Sequence, residues 1–429
     1  MTRERPPVAV LALVIVLAVL GGRFAVHMVQ LARKGEHRDF AAVYTAAHVS
    51  RAGGQFYDAQ PLHAGLGANE NPELIAAARR LGTLHAHENF VHVHVFSYPP
   101  FAVLPFLPFT ALSFPLAAVL WQALSLAFAA VAGWCLWQAV PLGAVSGLTL
   151  AGIALLYEPL ENSLGLGQIN LLVLALTAVF VWALAAGRPV AAGLAIGLAA
   201  ALRLHPSLFL AYLAWRRQWR AFAVGVGTAG ACTLAAIPLV GWPATAEYVT
   251  GVAPRYARSF AGLGGHSLPG WVLTTGPAFV AGVPDGVWRG LGRVLSIAVL
   301  VAAVRLVWPA GAVARPRLVR ETAFLSTVLL LAVPNTTINH LVFTFIPLAV
   351  LLAAALDGRG EEWRSVPWLA LAVLLLGGVN DYYAHPRLAG GPQVLLAGIK
   401  TYALVILAIL GACLVRGTTE SACPQGGHT

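Results

Sequence analysis

The sequence predicts an all-α, polytopic membrane protein. Only 10% of its 429 residues are charged, whereas an average soluble domain carries roughly 25% charged residues. Hydrophobic residues make up 59% of the chain, and its mean hydropathy is +0.76. The apolar stretches are continuous and approach the roughly 20 residues of a spanning helix, unlike the alternating segments of a membrane β-barrel. We therefore expect a bundle of spanning helices.

The positive charge of the chain is distributed as in a membrane protein. The formal net charge is +10, but the arginines stand in short clusters between apolar runs and form no continuous basic face. Cytoplasmic loops carry such clusters, so topology explains the charge better than binding to nucleic acid does. The four cysteines show no CxxC or other metal-ligand spacing, and we interpret them as unpaired.

The first apolar segment, residues 8–20, could be a signal peptide. It lacks a clear small-x-small cleavage site, however, and apolar residues resume after Arg23. We therefore expect a retained helix and a cytoplasmic N-terminus. Eleven further spans give about twelve in a single membrane domain, 1–429: residues 115–138, 143–157, 169–186, 190–203, 206–215, 219–239, 291–309, 320–334, 340–356, 366–380 and 393–415.

The side on which each loop lies follows from one short segment. Residues 101–113 are apolar, but Pro105 and Pro108 interrupt them and they are too short to cross a hydrocarbon core of about 30 Å. If this segment is interfacial or re-entrant, the arginine-bearing turns mostly fall in the cytoplasm, as the positive-inside rule requires. Two long loops then lie outside, at about residues 33–114 and 240–290.

Asp39 is the main candidate for catalysis. It stands just beyond the first span, in a chain with only 17 acidic residues, within a segment that also contains Tyr44. A sugar hydroxyl is a poor nucleophile near neutral pH, so a transferase that inverts an anomeric centre needs a carboxylate to take its proton. The alternative is structural, because an aspartate before an apolar segment often caps a helix.

Other polar residues are predicted at the external ends of spans. Arg203 stands where the positive-inside rule disfavours a cation, so it could bind a lipid phosphate; snorkelling is the alternative. Gln168 and Asn170 could bind sugar hydroxyls or cap their helix. The remaining candidates for substrate binding, each with a structural alternative, are Tyr44, Tyr98, His205, His266 and His340.

Four alternating histidines suggest a metal site: His85, His87, His92 and His94. Their alternation places each pair on one side of a strand. Only Glu88 could add a carboxylate, however, and no cysteine completes a recognisable spacing. We therefore predict no metal and no cofactor.

Taken together, these residues resemble the polyprenol-phosphate-mannose-dependent mannosyltransferases of glycosyltransferase family 87, membrane enzymes of the GT-C superfamily. The motifs follow in order: Asp39-Phe40 with Tyr44, Gly54 and Tyr57-Asp58, Tyr98-Pro99-Pro100-Phe101, Gly167-Gln168-Ile169-Asn170, Gly193 to Pro206, Ser267-Leu268-Pro269-Gly270, and Asn339-His340. The chain departs from the family at Arg203, where lysine is common, and at Asn339-His340, where two histidines are frequent.

The resemblance implies a GT-C fold and an inverting transferase with Asp39 as catalytic base. A hexosyl group, with mannosyl the first expectation, would pass from a polyprenyl phosphate to a lipid- or glycan-linked hydroxyl on the outer face of the cytoplasmic membrane. Lipid phosphate would be the leaving group. No nucleotide site is then expected, and the chain contains no GxxxxGK[ST] loop and no DxD motif.

Two other classes of protein remain open from the sequence. A transporter or lipid flippase tends to show paired repeats with broken helices at the bilayer midplane, whereas the polar residues here gather in external loops and at helix ends. A non-catalytic membrane scaffold would not need Asp39 and Arg203 on the same face.

Overall fold

The computed structural model describes residues 7–34, 37–57, 71–83, 85–87, 90–92, 96–256, 264–308, 310–357, 361–377 and 386–420. These residues are mostly helical. The helices are α1 (Pro7–Lys34), α2 (Arg38–Arg51), α3 (Pro72–Leu81), α4 (Phe114–Ala139), α5 (Ala144–Leu155), α6 (Glu158–Leu166), α7 (Asn170–Ala186), α8 (Pro189–Leu202), α9 (Leu208–Trp215), α10 (Trp219–Val240), α11 (Trp242–Glu247), α12 (Ala253–Tyr256), α13 (Leu268–Phe279), α14 (Asp285–Leu306), α15 (Arg315–Ala332), α16 (Phe345–Leu352), α17 (Val366–Gly377), α18 (Val394–Ala397) and α19 (Ile399–Glu420).

The prediction of an α-helical, polytopic membrane protein is confirmed. Among the described residues, six helical segments are long and apolar enough to cross a membrane: Val10–Leu31, Phe114–Ala139, Trp219–Val240, Asp285–Leu306, Ile338–Asp357 and Ile399–Gly417. Shorter apolar helices of 10–17 residues accompany them. Within the described residues, each predicted span coincides largely with helix, although several are shorter than a full crossing; α9 has 8 residues.

Two short strands form an antiparallel pair, β1 (His85–His87) and β2 (Phe90–His92), with His85 opposite His92. The strand character predicted from the alternating histidines is therefore present. His94 and Glu88 lie outside the described residues. Within the part of the chain that the structure describes, no group of three or more potential metal ligands occurs.

The segment predicted to be interfacial or re-entrant is a 3-10 helix, Pro100–Ala111. Pro105 and Pro108 lie inside it, where they offer no N–H for helical hydrogen bonds. Its apolar side packs under α2 and against α4. The Phe106 ring centroid lies 4.6 Å from that of Trp121, and Phe40 stacks on Trp121 at 6.1 Å.

Helices α8 and α10 run parallel at very close distance. A Cβ added at Gly193 would lie 2.5 Å from the Ala221 carbonyl oxygen, and one added at Gly197 would lie 2.5 Å from the Gly225 carbonyl oxygen. Small residues spaced four apart allow two backbones to approach in a membrane. Because both helices run in the same direction, α9 must return the chain between them, and this places Arg203 and Val240 at the same end of the bundle.

The predicted arginine turns gather at the opposite end, which we call the arginine end. There a Cβ at Gly187 would lie 2.3 Å from the guanidinium carbon of Arg315. The Gly311 N–H donates to the Trp215 carbonyl oxygen at 3.0 Å. The other end, which contains Asp39 and Arg203, is called the polar end below.

A buried ion pair connects the end of α9 to α15 at the arginine end. Arg216 and Glu321 are both fully buried, with Arg216 Nε donating to Glu321 Oε2 at 2.7 Å and Nη2 donating to Oε1 at 2.5 Å. Arg317 Nε and the Tyr212 hydroxyl also donate to this carboxylate, at 2.8 and 2.9 Å. Loop charge alone predicted Arg216 as a cytoplasmic cation, whereas the structure buries it between helices.

Candidate active site

Asp39 lies in the first turn of α2 but does not cap it. The N-cap residue is His37, which makes no side-chain capping hydrogen bond; its Nδ1 lies 3.1 Å from the Gly165 carbonyl oxygen. The capping alternative for Asp39 is therefore wrong. Its carboxylate is half-buried, and no hydrogen bond to it occurs among the described residues. An anionic group in the first turn also interacts favourably with the helix dipole.

Burial raises the pKa of Asp39 from 3.8 to about 6, and the charges of Arg203 and Arg38 oppose this rise. The raised pKa follows from the loss of water around a charged carboxylate. At neutral pH the group is still mostly ionised, yet it binds a proton more readily than an exposed aspartate does. Such a pKa suits a general base.

Gly167 lies in the turn between α6 and α7 and packs against the first turn of α2, which contains Asp39. Its φ is +68°, and an added Cβ would lie 2.6 Å from the Phe40 Cβ, so only glycine fits this turn against α2. The Trp121 indole N–H donates to the Gly167 carbonyl oxygen at 2.9 Å. The next residue, Gln168, accepts a hydrogen bond from the Tyr98 hydroxyl at 3.1 Å. This turn thus fixes the Gln168 side chain beside the start of α2.

Arg203 follows the last residue of α8 and faces Tyr98. Its guanidinium carbon lies 5.1 Å from the Tyr98 ring centroid, a cation–π distance. Its Nη1 is buried and has no hydrogen-bond partner among the described residues. The charge of Arg203 acts on both Asp39 and Tyr98, so the three residues share one electrostatic environment. A guanidinium with a buried donor atom that lacks a partner among the described residues is suited to an oxyanion.

Burial, partly offset by Arg203, raises the pKa of Tyr98 to about 12. The phenol therefore stays protonated and remains a hydrogen-bond donor. Its ring supports Arg203, while its backbone carbonyl accepts from the Tyr57 hydroxyl at 2.7 Å. Tyr98 thus positions both the Arg203 guanidinium and the Gln168 side chain.

His205 and His340 meet beside Arg203, with ring centroids 6.3 Å apart. His205 also packs against Phe343 at 4.6 Å. The Thr337 backbone N–H donates to His340 Nδ1 at 3.0 Å, which completes a capping box at the start of helical residues Ile338–Thr344. Because Nδ1 accepts, the neutral ring carries its proton on Nε2 and can donate it.

The two amides predicted at the start of α7 do not cap it. The N-cap residue is Ile169, which makes no side-chain capping hydrogen bond. Asn170 Nδ2 instead donates to the Asn339 carbonyl oxygen at 2.8 Å. This bond ties α7 to the turn before His340. The Oδ1 atoms of Asn170 and Asn339 are buried without partners among the described residues.

Two further predicted binding residues, Tyr44 and His266, have structural contacts of their own. The Tyr44 hydroxyl donates to the Leu112 carbonyl oxygen at 2.7 Å, and its ring packs on His48 at 4.6 Å. His266 is fully buried; its backbone N–H donates to the Thr336 carbonyl oxygen at 2.7 Å. Burial, reinforced by the charge of Lys400, lowers the pKa of His266 to about 3, so this ring is neutral.

The two acidic residues of α6, Glu158 and Glu161, are paired with cations. Glu158 forms a buried ion pair with Lys400, and Glu161 lies 3.4 Å from Arg23 and 3.8 Å from His27. Asp58 lies outside the described residues. Asp39 therefore differs from Glu158 and Glu161 in having a carboxylate without a paired cation in contact.

Tyr248 belongs to the site surroundings but was not predicted from the sequence. Its ring lies 5.8 Å from that of Tyr57, and the charge of Arg203 acts on its hydroxyl. It sits in the second long loop, in a helical turn that follows α11, with no motif around it. Its aromatic type in an external loop was the only sequence signal.

Comparison with known proteins identifies the family of the chain. The profile of glycosyltransferase family 87 matches residues 96–334, more than half of the chain. The chain belongs to glycosyltransferase family 87. The match includes Tyr98, Gln168, Asn170, Arg203, His205 and His266, whereas Asp39 precedes it and His340 follows it.

Similarity to individual relatives covers part of each chain. A polyprenol-phosphate-mannose-dependent α-(1-2)-phosphatidylinositol pentamannoside mannosyltransferase of Mycobacterium tuberculosis (strain CDC 1551 / Oshkosh) is 32% identical over 30% of this chain and 31% of its own length. The corresponding phosphatidylinositol mannoside enzyme of strain ATCC 25618 / H37Rv is 31% identical over 36% of this chain and 39% of its own. An α-(1→3)-arabinofuranosyltransferase of strain CDC 1551 / Oshkosh is 32% identical over 44% and 46%. The alignments thus span less than half of each relative.

Proposed function

We propose that this chain is an inverting glycosyltransferase that moves a hexosyl group, mannosyl in the first instance, from a polyprenyl phosphate to a lipid- or glycan-linked hydroxyl. The observation that carries the proposal is that two groups without a hydrogen-bond partner among the described residues share one electrostatic environment: the Asp39 carboxylate, with its raised pKa, and the buried Nη1 of Arg203. One can accept a proton and the other can bind an anion.

In the proposed reaction, the acceptor hydroxyl oxygen attacks the anomeric carbon while its proton passes to Asp39. The bond from that carbon to the phosphate oxygen breaks, and polyprenyl phosphate leaves with the electron pair. Arg203 stabilises the charge on the departing phosphate, and the His340 Nε2–H is a second donor. A β-linked donor gives an α-linked product, because a single displacement inverts the centre.

The polar end would face the outside of the cytoplasmic membrane. This orientation follows from the arginine end, where Arg188 and Arg315 stand at the starts of α8 and α15, because cytoplasmic loops concentrate arginine. A lipid-linked sugar can serve as donor there without a nucleotide.

Arabinofuranosyl transfer is the second candidate function. It is favoured by one finding, since the alignment with the arabinofuranosyltransferase covers 44% of this chain, compared with 30% and 36% for the two mannosyltransferases. The proposed roles of Asp39 and Arg203 are the same for both sugars.

Transfer by the purified protein tests both candidates. Polyprenyl phosphates carrying radiolabelled mannose or arabinofuranose should be offered with mannolipid and arabinan acceptors, with and without EDTA. We expect α-linked product from the mannosyl donor, insensitive to EDTA because metal is not proposed. Product from the arabinofuranosyl donor alone would select the second candidate, and no transfer from either would contradict both.

A further inference from the structure

An open groove lies at the far end of α2 from Asp39. Its volume is about 810 Å³, and its lining includes Arg51, Leu104, Leu107, Pro108, Pro238 and Leu239. Three elements meet here: the end of α2, the 3-10 helix Pro100–Ala111 and the end of α10. Most of the lining is apolar, and the volume falls in the range of roughly 300–1,000 Å³ that is common for ligand sites.

One cation stands at the rim of this groove. Arg51 is exposed, and among the described residues only its Nη1 has a hydrogen-bond partner, the Thr110 hydroxyl at 3.0 Å. No ion pair involving Arg51 occurs among the described residues. Glu73, a carboxylate of the adjacent α3, accepts from the Gln55 backbone N–H at 2.9 Å. The remaining guanidinium donors of Arg51 can therefore meet an anion, and phosphate matches their fork geometry.

The groove lies where a membrane lipid can enter. Leu239 is 50% exposed in the last turn of α10, one of the long apolar helices. Trp242, which follows shortly after, is 65% exposed, and exposed tryptophans are typical of the boundary between hydrocarbon and head groups. An occupant would thus have its tail at the depth of Leu239 and its head group near Arg51.

We propose that this groove binds the lipid anchor of the acceptor, an amphiphile whose head group carries a phosphate and a glycan. This inference rests on the proposed function. The hydrocarbon lies along Leu104, Leu107 and Leu239, and the phosphate contacts Arg51. Asp39 stands 12 residues from Arg51 on α2, a separation of about 18 Å at the rise of an α-helix, which the glycan has to span. That distance requires an acceptor with several sugar units.

Lipid crosslinking tests the groove without transfer. The full chain, in phosphatidylcholine nanodiscs, would carry a photoreactive residue in place of Leu239, or in place of Leu234 as the matched control. Leu234 is also exposed on α10 but does not line the groove. At position 239 we expect radiolabelled phosphatidylinositol to crosslink in preference to diacylglycerol, and Arg51→Ala to abolish that preference. Equal crosslinking at positions 239 and 234 would overturn the proposal, even if no transfer could be measured.

Acceptor kinetics test the role of the groove in catalysis. For a mannosylated phosphatidylinositol, Arg51→Ala should raise the KM about threefold to fivefold, as for a partly screened ion pair. The rise should be absent for an alkyl mannoside, which has no phosphate. Arg80→Ala removes an exposed arginine of α3 outside the groove and should change neither KM. An equal rise for both acceptors, or a rise in the donor KM instead, would contradict an acceptor site.

Discussion

At the scale of single residues, the pKa of Asp39 determines how the proposed reaction depends on pH. Burial raises this pKa to about 6, while Arg203 lowers it. Because a general base must be ionised, kcat/KM should fall as the pH drops through about 6, not through about 4 as for an exposed aspartate. A pH–rate profile measures this limb. Arg203→Ala should move it to higher pH, and a limb near pH 4 in both proteins would contradict the assignment.

The Arg203 guanidinium is expected to bind the donor phosphate. Losing a hydrogen bond to a charged group costs about 1.5–3 kcal/mol, so Arg203→Ala should raise the donor KM by roughly 10- to 100-fold. Arg203→Lys should recover part of this loss, because it keeps the charge but not the fork. Donor saturation curves provide the measurement.

Arg188→Ala is the matched control for Arg203→Ala. Arg188 flanks the other end of α8 and also stacks on an aromatic ring, that of Trp182 at 4.9 Å, but it lies at the arginine end. Its removal should leave the donor KM unchanged. Equal effects of the two substitutions would mean that Arg203 acts through folding and not through the phosphate.

Part of the residue-level site could be predicted from the sequence. Asp39 and Arg203 were identified because charged side chains are rare at the external ends of spans. The raised pKa of Asp39 could not be predicted, because it depends on burial that arises only in the folded chain. The ion pair between Lys400 and Glu158 could not be predicted either, because 242 residues separate the two partners.

At the scale of elements, the turn at Gly167 holds α2 in place. In Gly167→Ala, the new Cβ would have to displace Phe40 or the turn itself, and a non-glycine residue at φ +68° costs a further ~1–2 kcal/mol. We expect a lower Tm and a large loss of kcat, because Asp39 adjoins Phe40. Thermal unfolding and transfer assays measure the two effects.

Gly187→Ala separates backbone strain from displacement of α2. Gly187 has a similar φ of +69°, but its added Cβ would meet the long, exposed side chain of Arg315 at the arginine end, which can change rotamer. Its Tm should fall while its kcat stays near that of the wild type. If Gly167→Ala also keeps the wild-type kcat, the turn does not position Asp39.

The elements themselves were largely predictable, because apolar runs mark helices independently of their partners. The predicted span 115–138 corresponds to α4, and 219–239 corresponds to α10. Burial of Arg216 was not predictable, because its partner Glu321 lies on a helix more than a hundred residues away. Likewise, a charge-based rule cannot distinguish a loop arginine from one that is paired between helices.

At the scale of the whole molecule, the polar end should be accessible from outside the membrane. In a background without native cysteines, cysteines at the exposed positions Gln55 and Ala281 should react with an impermeant maleimide in intact cells. One at Gln218, beside Arg217 at the arginine end, should react only after permeabilisation. Labelling of position 218 in intact cells would reverse the orientation.

The architecture of the whole molecule was predicted from composition and from the expectation that the short proline-containing segment does not cross the membrane. Treating residues 101–113 as non-crossing placed the arginine turns together, and the structure does bring Gly187 and Arg315 together. The approach of Asp39, Arg203 and His340 required helices whose order in space a single sequence does not specify. The resemblance to family members supplied that grouping in advance.

The central claim is that Asp39 takes the acceptor proton, and transfer by Asp39→Asn tests it most directly. Asparagine keeps the size of the side chain but cannot accept this proton, so kcat should fall by about 10²–10⁴-fold. Folding should not suffer, because burial disfavours the charged carboxylate that the substitution removes. We therefore expect an unchanged or higher Tm and an unchanged donor Kd. A well-folded Asp39→Asn protein that transfers sugar at a near wild-type rate would contradict the account.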